Sequence, residues 1–287
     1  MRLFNKVTII GVGLIGGSIG LAIKKKGLAK EVTGVFRRPS TLRRALRHKA
    51  IDNGTLRVEE GVKGADLIIL ATPVYSIPLV GREAIRYADA GAIITDAGST
   101  KIWVVARMET LAASARSIFF VGSHPMAGSE NAGVEFATAD LFKSSPCIVT
   151  RTARTDEAAL KKVAAFWEAL GARVKVMSPG AHDKSISLVS HLPHLVAFSL
   201  AGAIPEKDIV YAAEGFRDTT RVASSNPKLW ADIFLTNKKE IINAGRMFEK
   251  YYADIVRALS KGDYGGIVRM LKKAKSKRDK FVYGEKT

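Results

Sequence analysis

The 287-residue chain has little with which to staple or anchor itself. It holds one cysteine, Cys147, so no internal disulfide can form and the disulfide-stapled secreted scaffolds are excluded. Cys147 sits in the apolar stretch Pro146-Cys147-Ile148-Val149 with no metal-ligating neighbours, which reads as packing in a reducing compartment. No unbroken apolar run approaches the roughly 18 residues of a membrane span. The short run 7–10 is cut by Gly11 and Gly13 with no small-residue cleavage site behind it, which argues against a secretion signal. A soluble, cytoplasmic protein without a membrane partner is expected. Acid is also scarce, with 27 Asp and Glu against 45 Lys and Arg and a formal net charge of +18. That imbalance attracts anions: nucleic acid, small anionic substrates and cofactors, or merely what a generally basic proteome would show. The basic run Lys272, Lys273, Lys275, Lys277, Arg278 and Lys280 lacks interleaved aromatic rings on which bases would stack, so it reads as a solvated helical end and no nucleic-acid partner is expected.

What is present is alternation. Short apolar runs at 7–10, 31–36, 66–71, 92–95, 118–122, 146–150 and 173–177 alternate with amphipathic stretches at 15–26, 40–49, 76–88, 101–113 and 156–170. Runs of four to six residues, apolar on both faces, suit strands of a parallel sheet covered by helices on both sides. After Ser178-Pro179-Gly180 the pattern becomes long and helical, notably at 186–204 and 229–259, which divides the chain into domains 1–178 and 179–287. Asn226-Pro227 reads as a helix cap followed by proline at the first helical position. Pro193 is expected to kink the helix carrying His191 and His194.

Gly11-Val12-Gly13-Leu14-Ile15-Gly16 follows the first strand and opens the first helix. In that setting the first glycine makes the turn, the second lets backbone approach a pyrophosphate, and the third allows close packing, with helix amides facing the phosphates. Where a NAD-preferring domain carries an acid for the ribose hydroxyls, the chain has Phe36, then Arg37 and Arg38, with Ser40 and Thr41 opening the next helix. Two guanidinium groups suit the 2′-phosphate of NADP, so NADP is favoured and NAD kept as the alternative.

Ligands of open α/β sheets bind beyond the carboxyl ends of the strands, so the residues there are candidates. These ends carry Thr72-Pro73, Asp96-Ala97-Gly98-Ser99-Thr100-Lys101 and Ser123-His124-Pro125. His124 is a natural base for a hydroxyl proton, or else a histidine bonding its own loop; Ser99 either orients it and meets the nicotinamide, or caps a helix. His191 and His194 share a helical face but supply no third ligand, so no metal is expected. Arg221, after Phe216-Arg217-Asp218-Thr219-Thr220, either binds a substrate carboxylate in bidentate fashion or pairs with Asp218.

Taken in order, the glycine turn through Gly17-Ser18, Thr95-Asp96-Ala97-Gly98-Ser99-Thr100-Lys101, His124-Pro125-Met126-Ala127-Gly128, Ser190-His191-Leu192-Pro193-His194 and Phe216-Arg217-Asp218-Thr219-Thr220-Arg221 resemble the prephenate and arogenate dehydrogenases of tyrosine biosynthesis. The resemblance covers nearly the whole chain. It implies a Rossmann-like, doubly wound, mostly parallel sheet followed by a helical dimerisation and substrate domain, in a homodimer. The implied reaction is oxidative decarboxylation of prephenate to 4-hydroxyphenylpyruvate, or of arogenate to tyrosine, with hydride transfer to NAD(P). By position His124 matches the catalytic histidine, Ser99 the serine beside it, and Arg221 the arginine holding a carboxylate. His194 and Asp218 match pocket residues, and Glu130 and Trp230 lie in segments near the pocket. Gly11, Gly13, Leu14, Ile15, Gly16, Arg37, Arg38, Ser40, Thr72 and Pro73 are the expected cofactor contacts. No appended regulatory domain is expected, in which case feedback by tyrosine would have to act at the active site. Two other readings remain: a different two-domain reductase of a small keto or hydroxy acid, and a dinucleotide-sensing nucleic-acid binder.

Overall fold

In the computed structural model, which describes residues 2–115, 117–128 and 131–283, six parallel strands form one sheet in the order β3-β2-β1-β4-β5-β6. They are β1 (Phe4–Ile10), β2 (Ala29–Val35), β3 (Asn53–Thr55), β4 (Leu67–Leu70), β5 (Ile93–Asp96) and β6 (Phe119–Val121). Helices α1 (Leu14–Lys26), α2 (Pro39–Arg47), α3 (Val58–Val62), α4 (Ile77–Tyr87) and α5 (Ile102–Ala113) make the crossovers. Every residue of β4 and β5 is buried, as a parallel strand covered on both faces requires. The core accordingly falls into two clusters, one containing Ile9, Ile19, Ile69 and Trp167, the other Ile68, Leu70, Ile94 and Met108. The strand order reverses between β1 and β4, which opens a crevice at their carboxyl ends.

The sheet does not continue as the apolar runs suggest. After β6 the chain turns into β7 (Ser123–Pro125), which pairs antiparallel with β8 (Pro146–Thr150); β8 in turn pairs parallel with β9 (Arg173–Met177), making a separate three-stranded sheet. Helix α6 (Glu157–Ala169), capped by the Asp156 carboxylate, joins β8 to β9. The three-residue elements β3 and β7 and the five-residue α3 are too short to leave a periodic signal, and none was expected from the sequence.

Beyond β9 the chain is helical: α7 (Pro179–Ile186), a π-helical segment (Ser187–His191), α8 (Leu192–Ala203), α9 (Glu214–Thr220), α10 (Pro227–Thr236), α11 (Lys238–Ser260) and α12 (Tyr264–Tyr283). The irregularity expected from Pro193 takes the form of that π segment, which ends just before it; proline supplies no N–H, so the preceding turn widens. Asn226 caps α10 as expected, accepting from the amides of Lys228 and Leu229. The long helix expected over 229–259 is broken at Asn237. Residues Pro179–Ala203 form one continuous 25-residue helix long and apolar enough, by length and composition alone, to cross a membrane. An average over a window carries that result where no unbroken run does, and the buried residues of this helix include His182, Asp183, Ser187 and His191. Two compact units result, Met1–Lys238 and Lys239–Thr287. In the second, α11 and α12 are tied by the Tyr251 hydroxyl donating to the Met270 carbonyl at 3.0 Å.

Candidate active site

The glycine turn is shaped by what it omits. Gly11 has φ +97°, and a Cβ there would lie 2.7 Å from the Ala71 carbonyl oxygen; a Cβ on Gly16 would lie 2.2 Å from the Gly11 oxygen. Both positions therefore require glycine. A Cβ on Gly13 would meet nothing within 4 Å, so the space in front of the turn is open. Helix α1 starts at Leu14 and Ile15 with no side chain capping its amides and no acid in its first turn, which leaves donors and a positive helix end for a phosphate. Across the crevice, the buried Thr72 hydroxyl has no hydrogen-bond partner, and Pro73 is exposed beside it. Unfilled space, uncapped amides and an orphaned hydroxyl fit a dinucleotide lying across β1 and β4.

At the end of β2 the Phe36 ring turns inward, close to Gly34 and Gly54. Arg37, Arg38 and Ser40 are exposed around the start of α2, where Arg38 occupies the cap position and the first turn again holds no acid. Thr41 is occupied locally, its hydroxyl donating to the Arg38 carbonyl at 2.8 Å.

His124 lies on β7, opposite Ile148 of β8, rather than in a loop after the sixth strand. Its Nδ1 meets a distant helix and not its own loop, lying 2.8 Å from Nε2 of His182 on α7. Nδ1 of His182 lies 2.7 Å from Oδ1 of Asp183. The Asp183 carboxylate also accepts the backbone amides of Lys101 at 2.7 Å and Ile102 at 2.9 Å, so it caps α5 from another helix. Ser99 does not cap α5; that place belongs to Lys101, and Ser99 is half-buried in the β5–α5 loop. Thr100, from the same loop, donates to the Thr236 hydroxyl at 2.9 Å.

Below His124 a fully buried ion pair joins Lys101 to Asp96. Lys101 also donates to the Ser123 carbonyl at 2.8 Å, while Asp96 accepts the amides of Gly98 at 2.9 Å and Ser123 at 3.1 Å. The pair thus pins the point where β6 passes into β7. Burial, then the neighbouring His182, Lys101 and His191, hold the His124 imidazole well below its ordinary basicity. Burial also lowers His182, although its bond to Asp183 works in the opposite direction. Both rings are therefore neutral near pH 7.

The helical candidates gather around Trp230. His194 stacks on its indole with centroids 3.5 Å apart and donates from Nδ1 to the Ser190 carbonyl at 3.0 Å. His194 is lowered, first by burial and further by Arg221, which places that guanidinium within electrostatic reach. His191 meets the other side of the cluster, 6.1 Å from Trp230, and is pushed down to about 4 by burial. Its Nδ1 lies 3.2 Å from the Asn237 amide, whose nitrogen also donates to the Asp183 carbonyl at 2.9 Å. Asp218 is exposed on α9, and Glu130 lies outside the described residues. Among the described residues no group of three or more His, Cys, Asp or Glu is placed to hold a metal ion.

The sequence reading missed His182, Asp183 and Asn237. A signal existed for the first two: Ser178-Pro179 fixes a helix start, and a His-Asp pair in the first turns of an otherwise apolar helix must find polar partners if buried.

Comparison with known proteins identifies the family. Residues 19–176 match the prephenate dehydrogenase nucleotide-binding domain, and residues 178–273 the prephenate dehydrogenase dimerization domain. Cyclohexadienyl dehydrogenase of Zymomonas mobilis is 35% identical over 278 residues, covering 92% of each chain. Prephenate dehydrogenase of Bacillus subtilis is 37% identical over 286 residues, covering 96% of this chain and 76% of its own. Among solved structures, prephenate dehydrogenase from A. aeolicus, in complex with hydroxyphenyl propionate and NAD+, superposes with a TM-score of 0.90 at 34% identity, covering 96% of this chain and 98% of that one. Synechocystis arogenate dehydrogenase gives 0.82 at 27% identity, covering 96% and 99%. With two family domains in order and relatives matched along almost its whole length, the chain belongs to the prephenate dehydrogenase family and is a dehydrogenase of the prephenate/arogenate type.

Proposed function

We propose that the protein oxidatively decarboxylates prephenate or arogenate with NADP as its preferred hydride acceptor, and that His124 is the base. The observation carrying this reading is the placement of His124: Nδ1 is engaged by His182, which leaves Nε2 for a substrate hydroxyl, and burial disfavours the protonated ring. When bound, the nicotinamide accepts the hydride from the ring carbon bearing the hydroxyl. His124 Nε2 takes the hydroxyl proton, giving a ring ketone. The bond to the ring carboxylate then breaks, CO2 leaves, its electron pair completes the aromatic ring, and the phenolate oxygen recovers the proton from His124. Aromatisation drives the step, so the protein chiefly orients reactants and manages charge.

The cofactor would lie on Gly11, Gly13 and Gly16, with phosphates at the amides of Leu14 and Ile15 and Thr72-Pro73 across the crevice. Arg37 and Arg38, at the acid-free start of α2, support NADP over NAD through charge-assisted bonds to the 2′-phosphate. Arg221 would hold a substrate carboxylate, with His194, Trp230, Asp218 and Glu130 around the substrate and Ser99 beside its hydroxyl. The division into a cofactor domain, 1–178, and a substrate and dimerisation domain, 179–287, belongs to the same reading. So does a homodimer, which would cover exposed apolar residues such as Val189, Val210 and Tyr211.

Appearance of reduced cofactor, followed with prephenate and arogenate each crossed with NADP and NAD, tests this. Turnover of at least one substrate, faster with NADP, is expected. No turnover by any pair, despite dinucleotide binding, would overturn it and revive the other reductase or the nucleic-acid binder.

A further inference from the structure

The buried hydrogen-bond chain running from α5 to β7 is more elaborate than a structural tie requires. At one end the Asp183 carboxylate is fixed by two backbone amides, those of Lys101 and Ile102, and by the positive end of α5. A carboxylate can only accept, so the proton between it and His182 sits on His182 Nδ1. A neutral His182 then presents a bare Nε2, and the proton in the next contact sits on His124 Nδ1. Each tautomer dictates the next, and the series ends by leaving a lone pair on His124 Nε2. Among the described residues that atom has no hydrogen-bond partner, and it is not one of the buried polar atoms left without one, which places it on the accessible side of the ring.

We infer that His182 and Asp183 are positioning residues: Asp183, held on the N-terminus of α5, sets the tautomer and orientation of His182, which sets those of His124, so that Nε2 is the proton acceptor of the reaction. The inference rests on the proposed function for the identity of the proton, but the tautomer is a property of the resting protein. Asn237 closes the arrangement by donating to the Asp183 carbonyl and meeting His191. Among the described residues, the titratable and charged groups facing His124 are His182 from α7, Lys101 paired with Asp96, His191 from the π segment, and Cys147 of β8. Burial raises the Cys147 thiol far above neutrality, so it stays protonated and carries no charge. In this setting a second proton on the His124 ring is disfavoured until the hydroxyl donates one, and the same surroundings favour its return to the phenolate.

Two substitutions of His182 separate positioning from bulk. In His182→Gln the amide oxygen can occupy the place of Nε2 and still accept from His124. In His182→Asn the amide can reach Asp183 but not His124. The test records imidazole ¹⁵N spectra of the full chain for the tautomer of His124, and kcat, KM and the pH profile with whichever substrate and cofactor pair turns over. The wild type is expected to show the Nδ1–H tautomer. His182→Asn should lose that preference, drop kcat by about 10²-fold, the lower end of what a general base contributes, keep KM and dinucleotide affinity, and move the acidic limb of the profile upward. His182→Gln should recover most of the loss. An Nε2–H tautomer in the wild type, or wild-type kcat in a folded His182→Asn protein, would overturn the inference. If no substrate turns over while the spectra show the Nδ1–H tautomer depending on His182, the tautomer setting stands and the proposed function fails.

Discussion

The two ends of the crevice are built by opposite means. Around His124 the contacts that hold the ring are made within the protein: Nδ1 bonds His182, His182 bonds Asp183, Asp183 caps α5, and Lys101 with Asp96 fixes the strand from which His124 projects. Around the glycine turn the protein leaves contacts unmade, with open space beside Gly13, no side-chain cap on α1, no partner for the Thr72 hydroxyl, and exposed arginines at α2. The difference teaches where each end obtains its order. His124 is held by buried bonds and needs no ligand to be aligned, whereas the groups around the glycine turn would be completed by a bound dinucleotide. Substitutions in the first region should therefore alter chemistry at constant binding, and those in the second should alter binding at constant chemistry.

The largest expected effect breaks the first region. His124→Gln should lower kcat by about 10²–10⁴-fold, the range for a positioned general base, while dinucleotide affinity measured by calorimetry stays at the wild-type value. A comparable loss of affinity would merge the two regions. Next, replacing Arg37 and Arg38 together by alanine should cut the preference for NADP over NAD by about 10- to 100-fold, as loss of a charge-assisted hydrogen bond worth about 1.5–3 kcal/mol implies, with kcat hardly changed. An unaltered ratio of kcat/KM values would show that the 2′-phosphate lies elsewhere. The smallest effect sharpens the comparison most. Gly13→Ala meets no protein atom, so the midpoint of thermal unfolding should not move, yet affinity for either dinucleotide should fall about tenfold, or 1.4 kcal/mol. A Tm drop without a binding defect would mean that the space serves packing.

The same contrast governs what the sequence revealed. The glycine turn could be read directly because its strand, turn and helix start are written in consecutive residues. The parallel strands could be read because burial on both faces gives short, continuous apolar runs. The split into a second sheet could not: β7 is three residues long and its pairing with β8 is a choice among distant partners. The His124–His182–Asp183 chain was hidden for a related reason, since its first contact spans 58 residues and nothing around His182 marks its partner. His194 stacking on Trp230 and Thr100 meeting Thr236 are contacts of that kind too. His124 itself was singled out for its place at a strand end. Its neutrality comes from burial and from Lys101 and His182, none of which local sequence reports.

The claim that the base is preorganised and neutral is tested most directly by kcat as a function of pH for the wild-type enzyme at saturating substrate and cofactor. A histidine acts as acceptor only when unprotonated, and burial disfavours the protonated form, so the basic form persists to lower pH than for an exposed ring. The rate should hold constant as pH falls through 6.5, the ordinary histidine value, and decline only below it. A decline centred at or above 6.5, lost in His124→Gln, would show that the protonated ring is stabilised in the complex and would contradict the account.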